Sequence, residues 1–332
     1  MTAVLLARSL RQRVGIALLA GVVLLTLAAP MLELNPPDAQ FADRAYAPPT
    51  RLHVRDATGF HWPFIYRRQL DDRLMRSYRD DLSRRVTLDW WTGGHLWSVD
   101  GADGPLLLLG ADSLGRDVFA RLVQGARISL GVVLIGATGA LLLGAVIGGL
   151  AGSVGGRLDT ILMWLTDLVL VLPGAYLVLA LRGVLPLKLS TPTVFWLMGT
   201  LFAVSAWPTV ARGVRAIVAT ERSRDYAEAA RAMGAGRMRQ MRHLLPAAGG
   251  FLIVQAVLLL PALLVAEATI SVLGLGFPGP TASWGNMLQE ATNVSALARS
   301  PWLLAPALAM FLVALGVHLA AGHRAGPLAS SR

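Results

Sequence analysis

Apolar residues in this chain come in long unbroken runs, not in the alternation of a strand or the one-sided stripe of a soluble helix. Six runs, at 14–32, 128–150, 161–181, 193–210, 249–273 and 303–321, reach or approach the roughly 20 residues that a helix needs to cross a bilayer core of about 30 Å. Each is predicted to span the membrane as a helix, because a backbone in hydrocarbon must satisfy its own hydrogen bonds. Residues 33–127 break the pattern with Pro36-Pro37, Pro48-Pro49, a charged stretch at 67–85, and Trp62, Trp90, Trp91 and Trp97. That is too long and too mixed for a simple connection, and predicts a small external domain. Within it 95–99 and 106–109, separated by Asp-Gly pairs, read as a hairpin. The alternative is a partly ordered insertion whose aromatics rest on lipid headgroups. With no cysteines to staple it, any fold there is expected to rest on an aromatic cluster and on the membrane helices. In the second run Gly144, Gly148, Gly152 and Gly156 recur every four residues, clearing one face for close approach of another helix. Pro173 and Pro261 are expected to kink their helices, since each removes a backbone bond.

Composition strengthens the membrane reading: 55% of residues are hydrophobic, 15% are charged, and mean hydropathy is +0.56. A water-soluble enzyme is excluded on these grounds, and zero cysteines remove disulfides and thiolate chemistry. The net charge of +10 could suggest nucleic-acid binding, but the basic residues sit between apolar runs, where they anchor loops on the cytoplasmic side. Arg8, Arg11 and Arg13 precede the first run, eight Arg stand against three acids in 211–245, and Arg324 and Arg332 end the chain; these stretches carry the whole net charge. Segment 33–127 is balanced, with thirteen Arg and thirteen acids. Both termini and 211–245 are therefore expected inside, and 33–127 outside. The first run could be a signal peptide, with Leu27-Ala28-Ala29 as a loose cleavage site. Pro30 and the apolar continuation through Leu32 favour an uncleaved anchor.

The chain offers little catalytic chemistry. Its only Lys, Lys188, stands in Pro-Leu-Lys-Leu-Ser, outside any phosphate-cradling P-loop, and its six His show no His-Glu-x-x-His spacing. Gly274-Leu-Gly276-Phe-Pro-Gly279 fits a dinucleotide fingerprint, but Pro278 and the preceding membrane run make it an extracellular turn. No catalytic residue, metal ligand or cofactor is expected. Asp167 and Glu267 lie inside apolar runs, where a carboxylate must be protonated, paired or facing a watery path. They are candidates for the lining of a translocation path, and interhelical packing is the competing role.

Segment 223–246 is the most informative. Asp225 with Glu228 three residues on suggests a capping box, alanines propagate a helix, and Gly234 can end it in the left-handed conformation. A second short helix follows up to Pro246, with Met238, Met241 and Leu245 opposite Arg237, Arg239 and Arg242. An interfacial helix held by lipid phosphates would have this pattern; the small Ala229-Ala230 surface favours close docking of a partner.

Glu228-Ala229-Ala230, Gly234 and Leu244-Leu245-Pro246 resemble the "EAA" loop of permease subunits in ATP-binding-cassette importers. Three more stretches are similar to the dipeptide, oligopeptide and nickel branch of that family. They are 109–122 continuing to 125–130, Glu267-Ala268 with 271–276, and 283–288. The resemblance covers 109–323. Two departures stand out: Gly234 to Pro246 is twelve positions, one fewer than the family spacing, and 33–108 is longer than usual for the branch. What the resemblance implies is an all-α membrane protein, a bundle of six transmembrane helices with an external insertion between the first and second. Its domains are expected at 1–32 (cytoplasmic N-terminus and first helix), 33–108 (extracytoplasmic insertion), 109–323 (permease core of five helices with the EAA loop at 220–246) and 324–332 (cytoplasmic tail). Asp225, Glu228, Ala229, Ala230, Gly234 and Pro246 are the implied ATPase-coupling residues. A second permease subunit, two cytoplasmic ATP-binding subunits, an extracytoplasmic substrate-binding protein and membrane lipid are the implied partners, without nucleic acid, in a bacterial inner membrane. The function implied is half of an import pathway for peptides or similar small solutes, with ATP hydrolysis on other chains. An ion-driven secondary transporter and an integral membrane enzyme are the alternatives, and the cargo is not readable from this chain.

Overall fold

The computed structural model describes residues 2–32, 35–56, 59–73, 76–92, 95–99, 105–171, 189–234 and 236–321. The fold is mostly helical. Its helices are α1 (Thr2–Leu27), α2 (Ala29–Leu32), α3 (Val118–Val154), α4 (Gly156–Val171), α5 (Thr191–Arg222), α6 (Asp225–Ala232), α7 (Arg237–Leu244), α8 (Gly249–Val272), α9 (Trp284–Ala291), α10 (Val294–Arg299) and α11 (Ala305–Ala321). Among the described residues, five helical stretches are long and apolar enough to cross a bilayer: Leu10–Leu27, Val118–Val154, Thr191–Arg222, Arg239–Val272 and Pro301–Ala321. The predicted third run, 161–181, begins inside α4, and its remainder, with Pro173, lies outside the described residues. Pro261 sits inside the continuous α8, and α5 holds an internal proline, Pro208. The run predicted to stop at 210 continues as helix to Arg222. Its polar end stays helical because Arg212 and Arg215 find carboxylate partners on α4.

The chain divides into two compact units, one of 1–19, 130–270 and 312–332, the other of 20–129 and 271–311. The first is built on glycine-mediated helix packing. A β-carbon on Gly144 would meet Val210, one on Gly148 the backbone of Ala211, and one on Gly152 Val218 and the carbonyl of Arg215. Three glycines of the predicted ridge thus let α3 lie directly on α5, where dispersion and close backbone approach replace the hydrophobic drive that lipid cannot supply. Gly156 is a correction to that ridge: α3 ends at Val154, and Gly156, with φ +61° and open space around it, starts α4. In the same unit Gly15 of α1 lies against the backbone of Gly316 and Ala320 of α11.

The second unit contains the insertion, and here the all-α expectation is corrected. Strands β1 (His53–Asp56), β2 (Gly59–Asp72) and β3 (Ser77–Thr87) form an antiparallel sheet in that order, and β4 (Asp89–Thr92) pairs with β5 (His95–Ser98). The alternation of Phe60, Trp62, Phe64 and Tyr66 along β2 is the period-two pattern of a strand. The long charged stretch around it hid that pattern. The hairpin is also corrected in its pairing: β5 pairs with β4, Trp90 standing opposite Trp97 and Thr92 opposite His95. Strands separated by two positions suit the commonest hairpin connection, whereas 99 and 106 are separated by a longer stretch. Residues 106–109 form no strand; Leu106 joins Ile65, Val86 and Leu88 in an aliphatic core, and Leu107 joins Ala47 and Ala111. The expected aromatic core is therefore only partly present. Phe64 is buried, while Trp62 is 77% and Trp91 68% exposed.

Candidate functional site

The segment singled out by the sequence forms two short helices on the end of α5. Ser223 closes α5, Asp225 opens α6, and α7 passes through a 3-10 turn, Leu245–Ala248, into α8. Ala227, Leu244 and Ala248 are buried against Val210, Val214 and Val218 of α5. Met241 and Leu245 pack over Gly149 of α3. Gly234 lies between the two short helices with φ +81°, a conformation that costs an L-residue and suits glycine. With one side of the pair fixed in this way, the other faces out: Glu228, Ala229 and Pro246 are exposed, Ala230 is half-buried, and Tyr226 and Met233 are 51% and 82% exposed. The Tyr226 hydroxyl donates to Glu221 at 2.8 Å, which fixes α6 against the last turn of α5. The result is a small apolar ledge on a rigid base, edged by exposed Arg239 and Arg242.

The two intramembrane carboxylates separate in role. Asp167 on α4 accepts from Arg212 of α5, and Asp159, about two turns earlier, accepts from Arg215 through both its oxygens, at 3.0 and 2.5 Å. These two rungs tie α4 to α5 and answer the cost of charge in an apolar setting by pairing. Arg215 and Asp159 were legible as opposite charges but not as partners 56 positions apart. Glu267 lies on α8 and is fully buried.

A second polar cluster, in the other unit, was visible only as part of the motif at 109–130. Arg116 Nε donates to Asp112 at 2.6 Å and its Nη2 to Glu290 at 3.0 Å. Asp112 also accepts from the amides of Leu114 and Arg116, and Glu290 from the amide of Ser113. Asp117 is fully buried and is held by Asn35 and by the amide of Phe119 at the start of α3. Burial pushes its carboxyl up to about 6, against the lowering pull of those hydrogen bonds. Glu290 is also raised, by burial and then by the nearby Asp112. Asn35 donates at the same time to the carbonyl of Leu106, so one side chain joins the segment after α2, the end of the insertion and the head of α3. These groups hold and orient segments.

Long apolar helices joined through glycine faces and paired charges, with an exposed two-helix ledge between two of them, are the features of a multi-pass membrane protein. Residues 144–323 match the family described as binding-protein-dependent transport system inner membrane component. The chain is 36% identical to the nickel transport system permease protein of Escherichia coli K12 over 243 residues, 70% of this chain and 84% of that one. It is also 36% identical to the oligopeptide transport system permease protein of Bacillus subtilis over 196 residues (59% and 62% of the two chains). The same identity relates it to the di/tripeptide transport system permease protein of Pseudomonas aeruginosa over 214 residues (64% and 68%). The chain belongs to the binding-protein-dependent transport family of inner-membrane permease components. That family is one of transport permease components, and the chain is a multi-pass protein of the inner membrane.

Proposed function

We propose that this chain forms one transmembrane half of an ATP-driven importer for peptides or similar small solutes, and that residues 225–246 dock it on a separate ATP-binding subunit. The observation that carries the proposal is the ledge of exposed Ala229 and Met233 with half-buried Ala230, on helices that Ala227 and Leu244 fix to α5. Small and apolar side chains on a rigid base suit insertion into a cleft of another protein, and a movement of that cleft would reach α5 as a rigid-body displacement. Asp225, Glu228, Gly234 and Pro246 set the ends and the turn of the docking piece. A second permease subunit, two ATP-binding subunits and an extracytoplasmic binding protein complete the assembly. Both termini and the docking segment face the cytoplasm, and the insertion at 33–108 faces outward, where its exposed Trp62 and Trp91 suit contact with the binding protein. Glu267 contributes polarity beside the path, whereas Asp167, paired to Arg212, serves chiefly to hold α4 on α5.

The orientation is tested by single cysteines, introduced cleanly because the chain has none. An impermeant thiol reagent on intact cells should label Leu82→Cys, on exposed β3, and spare Gly236→Cys until the membrane is opened. Labelling of position 236 with protection of position 82 would reverse the topology and remove the docking role.

A further inference from the structure

A cavity of about 200 Å³ opens beside the outer polar cluster, lined among others by Arg116, Arg121, Ser271, Asn286, Gln289 and Glu290. Its hydrogen-bond arithmetic is uneven. Two carboxylates of the cluster are taken up by Arg116: Asp112 through Nε, Glu290 through Nη2, with backbone amides filling most of what remains. Arg121 is left over. Its side chain is only 5% exposed, yet its nearest carboxylate oxygen is that of Asp112 at 3.6 Å, beyond hydrogen-bond reach and already held by Arg116. Its Nη1 donates to the carbonyls of Pro280 and Pro37 at 3.2 and 3.4 Å, and Asp38 stands 4.0 Å away. Among the described residues, Nη2 has no acceptor. A guanidinium withdrawn from water with an unused donor edge is costly unless something else accepts from it.

The rest of the cavity has the chemistry of a small polar ligand's seat. The amide of Asn286 is spent on the carbonyl of Phe277 at 2.8 Å, which fixes the loop forming one wall. Gln289 is exposed and lines the same cavity as Arg121. Since Glu290 is paired with Arg116, the cationic edge still available here among the described residues is that of Arg121. A planar guanidinium edge matches the two oxygens of a carboxylate in a bidentate pair.

We propose that Arg121 anchors the carboxylate of a small solute in this cavity, with Gln289 bonding the adjacent amide or hydroxyl. Its role as a receiving site for cargo rests on the importer reading above; the binding itself does not.

Full-length chain in nanodiscs is titrated with dialanine and with dialanine amide, and binding is read by calorimetry. Dialanine should bind at least about tenfold more tightly than the amide, about 1.4 kcal/mol, and the preference should vanish in R121Q and persist in part in R121K. Gln289→Ala, on the exposed wall, should weaken dialanine binding by a few fold and leave the unliganded melting temperature unchanged. Equal binding of dialanine and its amide by the natural chain would overturn the proposal without any variant. So would undiminished dialanine binding by a folded R121Q, or failure of dialanine to bind at all. No ATP-binding subunit is needed, so loss of the importer reading with carboxylate selectivity intact would leave the site standing as a ligand site of another kind.

Discussion

Gly234→Val is expected to leave the chain inserted in the membrane but to reduce substrate uptake by at least about tenfold. Gly234 has φ +81° with open space around it, so the penalty falls on the backbone and not on packing. A β-branched residue in the left-handed region costs about 1–3 kcal/mol, enough to shift the turn and re-aim α6 relative to α7. The ledge of Ala229 and Met233 would then no longer match a cleft fitted to it. Gly234→Asn provides the control, because Asn tolerates this conformation far better; it should retain most of the uptake. Normal uptake by the Val variant would show that the geometry of this turn is irrelevant to transport.

Gly148→Val should damage the bundle itself. A β-carbon there falls on the backbone of Ala211, which cannot move without displacing α5 and with it both rungs to α4. Overpacking of this kind costs about 1–3 kcal/mol, and here it strikes main chain, so the upper end is expected. The measurement is thermal melting in detergent, with Gly21→Ala as the comparison, since Gly21 of α1 meets nothing within 4 Å. The Val variant should melt many degrees lower or fail to accumulate, and Gly21→Ala should be neutral. Equal melting temperatures would show that the α3–α5 contact does not hold the unit together.

Legibility in the sequence followed the strength of the local pattern. Unbroken apolar runs place α1, α3, α5, α8 and α11, because hydrocarbon leaves a backbone few choices. Two things escaped. The polar end of α5 looked like loop because Arg212 and Arg215 are charged, and their partners Asp167 and Asp159 lie on another helix 45 and 56 positions away. The sheet at 53–98 was hidden because its strands carry Arg and Asp on exposed positions, and strand pairing depends on neighbours remote in sequence. For the docking segment, the left-handed glycine and the helix–turn–helix outline could be read directly. Which alanine faces out could not, since that depends on Ala227 and Leu244 meeting Val214 and Val218. The Arg121 cavity was unreadable for the same reason: Arg116 and Arg121 are five apart on the chain, and only Glu290, 174 positions from Arg116, decides which of them is spare.

The central claim is that the ledge at 229–233 seats a separate ATP-binding subunit. It is tested most directly by placing a single cysteine at Ala229, co-expressing the chain with the products of its neighbouring genes, and cross-linking in membranes with a short bifunctional thiol reagent. The expected result is one specific adduct with a nucleotide-binding subunit, whose yield changes when ATP is added, and none from a cysteine at Leu82. Absence of any adduct from position 229, together with uptake that persists without ATP, would contradict the claim.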